Sequence, residues 1–227
     1  WAKLEARHGF RRDDPSSWRI EGWDPDRQPH HWTMLRLNRS KDDPVFAEIG
    51  TPRLRAALAE IAGEHAASLR QSWGAFTPVF PSRDEAPWRP GTRWGCYPAV
   101  EARWRTRIHT LFSPVQSRGG ACLVVEGSHR LMRRYIDELS TSDRLMKLKL
   151  LTDRFVRKHA YFSELLGRDA DRGDRVRRYM EETTVVDDVP LRVVELTGDP
   201  GDAFLCEHAI VSTRSRNMTN MPVFTRG

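Results

Sequence analysis

The sequence contains few cysteines, and no two of them lie close together. Only Cys96, Cys122 and Cys206 occur in 227 residues, and none belongs to a C-x-x-C pair. Disulfide frameworks and zinc knuckles depend on numerous or closely spaced cysteines, so this pattern argues against both. It favours a reducing compartment, and we expect a cytoplasmic protein.

The chain also lacks an apolar run long enough to cross a membrane, and its first residues lack the pattern of a signal peptide. Hydrophobic residues make up 39% of the chain and charged residues 30%. A chain of this length and composition can bury the core of one ordinary domain. We therefore expect a single domain over residues 1–227 that has no membrane partner.

No block of basic residues accounts for the formal net charge of +6. The arginines are scattered among acidic neighbours, which argues against a nucleic-acid-binding surface. The same excess of positive charge suits a small acidic molecule as the binding partner. The sequence leaves the oligomeric state open.

Strand-like patterns occur in several segments of the chain. These segments are 69–80, 104–112, 121–125, 185–196, 203–213 and 218–224. Helical periodicity fills 131–182, which we interpret as an insertion, and Thr51-Pro52 marks the start of a separate helix. The predicted class is mainly β with helices (α+β), and a two-sheet jelly roll is the expected core.

The stretch R-G-G-A-C-L-V-V-E-G-S-H-R, residues 118–130, joins a glycine pair, a short apolar strand and a turn into a helix. Ser128 is expected to be the N-cap of that helix. The stretch resembles the "glycine pair, apolar strand, P-G-S-H-R" block of the phytanoyl-CoA dioxygenase-like family, with Glu126 in place of the family's proline. Segments 73–94 and 201–217 resemble two more motifs of that family. These are the approach to its metal-binding H-x-D and its G-D-x-x-L…H-x-x-x-x-N strand.

The resemblance covers most of residues 42–224 outside the helical insertion. The family consists of non-haem Fe(II)/2-oxoglutarate oxygenases built on a double-stranded β-helix, a cupin-like jelly roll. The resemblance therefore implies such a core here, flanked by helices, with the insertion at 131–182.

The iron ligands of the family have no counterparts at the matching positions. Gly95-Cys96-Tyr97 follows Trp94 where the family has His-x-Asp, and Ser212 stands where it has the distal histidine. A facial triad needs two imidazoles and one carboxylate on one open face of the iron. The arginine that grips 2-oxoglutarate in the family also has no clear counterpart beyond Asn217. We therefore expect neither a metal nor another cofactor.

Other residues can form a site around the position of the missing metal. Arg105, Arg107 and His109 alternate along the predicted strand 104–112 and share one face of it. If this face points inward, it forms a cationic wall suited to a carboxylate, phosphate or enolate. In the alternative arrangement, the same face points to water. In the inward-facing arrangement, Ser212 and Arg214 would flank the opposite side of the site.

Tyr97 is a candidate general acid, and Cys96 is a candidate weak acid or nucleophile. A small core residue is the alternative role for Cys96. The predicted catalytic residues are Tyr97, Cys96, Ser212 and His109. The predicted substrate-binding residues are Arg105, Arg107, Arg214, Trp94 and Trp73. No residue is predicted to bind a metal.

These features favour an enzyme that has lost the iron chemistry of the family. It would act on a small organic substrate by acid/base chemistry, as an isomerase, cyclase or lyase, and an anionic molecule is one candidate for that substrate. A step in bacterial secondary metabolism fits by analogy of fold alone. One alternative is a working oxygenase that holds Fe(II) and 2-oxoglutarate with atypical ligands. The other is a non-catalytic protein that binds a ligand or a partner.

Overall fold

The computed structural model describes residues 1–18, 48–63, 76–82, 88, 90, 106–166 and 173–226 of the chain. The helices are α1 (Ala2–His8), α2 (Pro52–Ala62), α3 (Ser128–Asp137), α4 (Thr141–Arg144), α5 (Leu148–Lys158) and α6 (Ala160–Leu166). The strands are β1 (Phe76–Val79), β2 (Thr106–Leu111), β3 (Cys122–Glu126), β4 (Thr184–Val186), β5 (Val189–Glu195), β6 (Ala203–Glu207), β7 (Ser212–Arg214) and β8 (Val223–Arg226). A 3-10 helix spans Pro15–Ser17, and a π-helix spans Arg177–Glu181.

The described strands form two antiparallel sheets of four strands each. In sheet I the order is β1-β8-β2-β6, and in sheet II it is β4-β5-β3-β7. From β5 onward the chain alternates between the sheets, because β5 and β7 belong to sheet II and β6 and β8 to sheet I. The predicted α+β class is confirmed. Among the described helices, none is long and apolar enough to cross a bilayer.

The largest apolar cluster lies between sheet II and the helices that follow β3. Leu123 and Val125 of β3 are fully buried there, together with side chains of β5. The rings of Phe155 on α5 and Phe162 on α6 lie 5.0 Å apart in the same cluster, and both are fully buried. The amphipathic helices in the segment 131–182 therefore cover the outer face of sheet II.

Sheet I is covered on its outer face by the N-terminal segment. Leu4, Phe10 and Trp18 form a buried cluster there, and Phe224 of β8 packs against it. A separate cluster joins Cys122 and Val124 of β3 to Phe204 and Cys206 of β6. The two sheets therefore face each other across this last cluster.

The turn between β3 and α3 depends on a glycine. Gly127 has φ of 81°, and a Cβ atom at this position would lie 2.3 Å from the carbonyl oxygen of Pro190. Any side chain would therefore be both strained and in contact with the neighbouring strand. Gly120, in the predicted glycine pair, likewise has φ of 86°.

The prediction that Ser128 is the N-cap of the next helix is wrong. Helix α3 begins at Ser128 itself, and Gly127 is the N-cap residue. The Ser128 hydroxyl donates to the Val125 carbonyl at 2.6 Å and accepts from the Val211 N–H at 2.9 Å. The side chain thus ties the end of β3 to the residue that precedes β7.

The prediction that Thr51 starts α2 is confirmed. Its Oγ1 caps the helix by accepting from the Leu54 N–H at 3.3 Å.

We expect the substitution Ser128→Ala to lower the free energy of unfolding by about 1–3 kcal/mol, because it leaves the buried Val211 N–H without its acceptor. Urea denaturation at pH 7 measures this change. Ser142→Ala is the matched control, since Ser142 is exposed on α4, and it should change stability by less than about 0.5 kcal/mol. Equal effects of the two substitutions would contradict the bridging role of Ser128.

Candidate functional site

Strand β2 directs Arg107 and His109 into the space between the sheets. Arg107 pairs with Cys206 and His109 pairs with Phe204 across the β2–β6 ladder. Directly paired residues lie on the same face of a sheet. Since Phe204 and Cys206 pack against sheet II, this face of β2 is the inner one. The alternative in which it points to water does not hold for these two residues.

Strand β7 supplies the opposite side. Ser212 pairs with Val124 and Arg214 with Cys122, so both residues share the inner face of β3. Arg107 Nη1 donates to Ser212 Oγ at 2.7 Å, and Arg107 Nη2 lies 3.4 Å from the His208 carbonyl oxygen. The contact with Ser212 joins the two sheets directly, and the contact with His208 holds Arg107 against the loop that follows β6.

Arg214 makes the second polar connection between the sheets. Its Nη1 donates to Thr225 Oγ1 on β8 at 2.7 Å. We refer to the side chains of Arg107, His109, Ser212, Arg214 and Thr225 as the inter-sheet cluster. The cluster contains two guanidinium groups, two hydroxyls and one imidazole within a predominantly apolar layer.

His109 is enclosed in this cluster. It is 6% exposed, and neither ring nitrogen has a hydrogen-bond partner among the described residues. Burial lowers its pKa to about 3, and the guanidiniums of Arg214 and Arg107 act in the same direction. At neutral pH the ring is therefore uncharged, with one nitrogen able to donate a proton to a hydrogen bond and the other able to accept one.

The two arginines give the cluster a positive field. Arg214 keeps a small exposed surface, but its environment is poor in water and this burial lowers the pKa of its guanidinium. Among the described residues, no carboxylate forms a salt bridge with Arg214. Arg107 is also partly exposed, so the cluster is not sealed from solvent. Because Arg214 is held by a neutral hydroxyl, it keeps its attraction for an incoming anion.

Two thiols adjoin the cluster on the inner faces of β3 and β6. Burial raises the pKa of the Cys206 thiol to about 11, and burial also raises the pKa of Cys122. Both side chains are therefore neutral thiols at physiological pH. A neutral thiol is a weak nucleophile, so neither cysteine is a strong candidate for covalent catalysis.

The structure brings four of the predicted site residues together. Ser212, His109, Arg107 and Arg214 all lie in the inter-sheet cluster. The other predicted site residues, Tyr97, Cys96, Arg105, Trp94 and Trp73, lie outside the described residues.

Sequence reasoning missed Thr225. The signal that could have found it is its alternation with Val223 on the last strand, because both side chains are buried. Its contact with Arg214 additionally requires that β8 of sheet I lie opposite β7 of sheet II.

The described part of the cluster does not suit Fe(II). Ser212, at the position of the family's distal histidine, accepts a hydrogen bond from a guanidinium. The positive charges of Arg107 and Arg214 would repel a metal cation at this hydroxyl. Within the described ranges, no group of three His, Cys, Asp or Glu side chains could hold a metal ion.

A groove on the outer side of the helices is a weaker candidate. Its volume is about 430 Å³, and it lies between α3 and α5. Arg154 is bonded to Asp143 at 2.7 Å, and Lys158 is bonded to Glu138. Because these exposed cations already have carboxylate partners, the groove offers less to a charged ligand than the inter-sheet cluster does.

Comparison of the chain with protein-family models and with curated proteins finds no match. The resemblance to the phytanoyl-CoA dioxygenase-like family therefore stays a prediction that rests on the three motifs described above.

The buried imidazole predicts a specific dependence of stability on pH. His109 has a pKa of 6.5 when unfolded and about 3 when folded, so between these values the unfolded chain binds more protons. Stability is then lost as the pH falls below 6.5. From pH 7 to pH 5 this one residue should cost about 2 kcal/mol of unfolding free energy. Urea denaturation of the wild type and of His109→Gln at both pH values measures it.

The His109→Gln variant should lose about 2 kcal/mol less than the wild type between the two pH values. His8→Gln is the control. Since His8 is only partly buried, this substitution should leave most of the pH dependence of stability unchanged. An identical loss of stability in the wild type and in His109→Gln would show that His109 is not held neutral by the fold.

Proposed function

We propose that the chain is a double-stranded β-helix protein of the phytanoyl-CoA dioxygenase-like type that works without iron. It would be a single-domain cytoplasmic enzyme that acts on a small anionic organic molecule by acid/base chemistry. The fold part is supported by the strand order. A jelly roll places successive strands alternately in two facing antiparallel sheets, and β5 to β8 alternate in this way. The pairing of β8 with both β1 and β2 also fits such a core.

One contact carries the functional part of the proposal. Arg107 Nη1 lies 2.7 Å from Ser212 Oγ, at the position that the resemblance assigns to the family's distal metal ligand. A guanidinium beside this position favours a negative group and disfavours a metal cation. The proposed site therefore binds an anion where the related enzymes bind iron.

Acid/base chemistry follows from the rest of the inter-sheet cluster. The uncharged imidazole of His109 can accept a proton from a substrate. Arg107 and Arg214 can stabilise the negative charge that remains, on a carboxylate or an enolate oxygen. The proton can then return to a different atom of the same molecule, or a leaving group can depart. Isomerisation, cyclisation and elimination all have this form, and none of them requires an oxidant.

On the segment that follows Trp94, Tyr97 keeps its proposed role as a general acid and Cys96 its proposed role as a weak acid or nucleophile. A place in bacterial secondary metabolism also stays a proposal, since it rests on analogy of fold.

A non-catalytic ligand-binding protein is the second candidate. One observation favours it: each arginine of the cluster is already bonded to a hydroxyl of the opposite sheet, as in a structural cross-link. Under this proposal the cluster would hold the two sheets together and bind an anion without converting it.

The absence of iron chemistry is tested by metal analysis of the purified protein and by an assay for succinate release with Fe(II) and 2-oxoglutarate. We expect sub-stoichiometric iron and no succinate above background. Iron bound at one per chain together with succinate release would replace this proposal by an oxygenase with atypical ligands.

The anionic substrate is tested with a panel of small carboxylic acids, incubated with protein treated with a chelator and analysed for isomers or elimination products. Arg107→Met should lower kcat/KM for any converted acid by about 100-fold, as expected for the loss of one charge-stabilising donor. Arg192→Met is the matched control, because Arg192 is exposed on β5 and pairs only loosely with Glu126 at 3.5 Å. Anion binding without conversion of any acid in the panel would support the second candidate instead.

A further inference from the structure

His109 lies where its charge state depends on the two arginines. Arg107 is on its own strand, two residues away, and Arg214 faces it from β7. The other titratable groups that face it across the inner layer are Cys122 on β3 and Cys206 on β6, and both are neutral thiols. Among the described residues, the charges that act on the ring are therefore both positive.

We infer that an anionic group of the substrate, a carboxylate or a group of equal charge, binds at Arg107 and Arg214, and that its binding makes His109 the proton acceptor of the reaction. This inference rests on the proposed function and adds to it the order of events, in which binding of the anion comes first and raises the basicity of His109. It stands on three features of the geometry. These are two guanidiniums held across the sheets, an imidazole on the same inner face, and two ring nitrogens without partners among the described residues.

The physical basis is the change in charge around the ring. Without an anion, burial and the two guanidiniums together disfavour the imidazolium form of His109. A negative group bound at the arginines offsets their field and adds an attraction of its own. An opposite charge within about 4–6 Å raises the pKa of a histidine by roughly 1–3 units. The ring therefore becomes a stronger base only when the substrate is in place.

The hydroxyl partners of the arginines do not prevent this binding. Arg107 and Arg214 each donate to a hydroxyl, which carries no charge. A carboxylate adds the attraction of an opposite charge and can accept two parallel bonds from one guanidinium. A carboxylate can therefore compete with Ser212 and Thr225 as the acceptor. Arg107 is partly exposed and gives an anion its approach to the cluster, whereas Arg214 lies deeper in the layer.

The reaction step involves only the substrate and His109, and it needs no oxidant or reductant. A C–H bond next to the anionic group breaks, and an N–H bond forms at the unprotonated ring nitrogen of His109. The electron pair moves to the substrate oxygen beside Arg107 or Arg214. The imidazolium then returns its proton to another atom of the substrate, or it protonates a departing group.

The inference is tested by isothermal titration calorimetry at pH 5 with sodium oxalate and sodium sulfate as probes, in two buffers of different ionisation enthalpy. Free His109 is neutral at this pH because its pKa is about 3. A rise of roughly 1–3 units on binding corresponds to an uptake of roughly 0.1–0.9 proton per bound anion. His109→Gln should bind the anion with no more than a small part of this uptake, and His109→Asn serves if that variant does not fold.

Oxalate binding by arginine variants is the second test of the inference. Arg214→Met should bind oxalate at least tenfold more weakly than the wild type, whereas Arg192→Met should bind it equally well. Binding of sulfate comparable to that of oxalate would identify the site as a general dianion site, while a clear preference for oxalate would identify it as a carboxylate site. Each result supports anion binding at the cluster.

Two results would overturn the inference: equal proton uptake by the wild type and both His109 variants, or oxalate binding that Arg107→Met and Arg214→Met leave unchanged. These failures differ from failure of the proposed function. Metal-free conversion of a panel acid by a protein that takes up no proton when it binds oxalate would remove the inference and leave the enzyme proposal standing. Proton-linked oxalate binding by a protein that converts none of the panel acids would remove the enzyme proposal and leave the linked anion site.

Discussion

Two guanidinium groups lie between the facing sheets, and each is held by a hydroxyl of the opposite sheet. Burying a charged group costs several kcal/mol unless it is hydrogen-bonded, so the positions of Arg107 and Arg214 depend on Ser212 and Thr225. Each hydrogen bond measures 2.7 Å and connects sheet I with sheet II. The same two charges, together with burial, keep His109 uncharged. The distance between the sheets, the polarity of the inner layer and the state of the imidazole are therefore linked.

The cluster can exist because apolar side chains elsewhere form the core. In β3, Leu123 and Val125 point to the helices that cover sheet II, whereas Cys122 and Val124 point to the inner layer. A strand that is buried on both faces has a continuous apolar sequence, which explains the run from Ala121 to Val125. Most of the large aromatic side chains of the main cluster are on the helical side. The inner layer contains mostly aliphatic side chains and thiols with Phe204, and it accepts polar groups that pair across it.

Local sequence signals were reliable where the partner is also local. Thr51 caps α2 as its sequence predicts, because the Leu54 N–H that it satisfies lies within the same turn. Gly120 has the positive φ that the turn at the glycine pair suggests. The role of Ser128 was not predictable in this way, since its hydroxyl bonds to Val211, which is 83 residues away along the chain. A serine at the start of a helix looks the same in the sequence whether it caps that helix or bonds to a distant strand. The tertiary structure decides, because it determines which N–H group lies next to the hydroxyl.

The sequence by itself determined that Arg107 and His109 share one face of a strand and that Ser212 and Arg214 share one face of another. The alternation of side chains along a strand fixes these relations, whatever the strand packs against. Only the tertiary structure decided that both faces point inward and meet. That outcome depends on the pairing of β2 with β6 and of β3 with β7, and on the helices that cover the outer faces of the sheets. Arg107 and Ser212 are 105 residues apart, and no local periodicity records which distant strand will lie opposite.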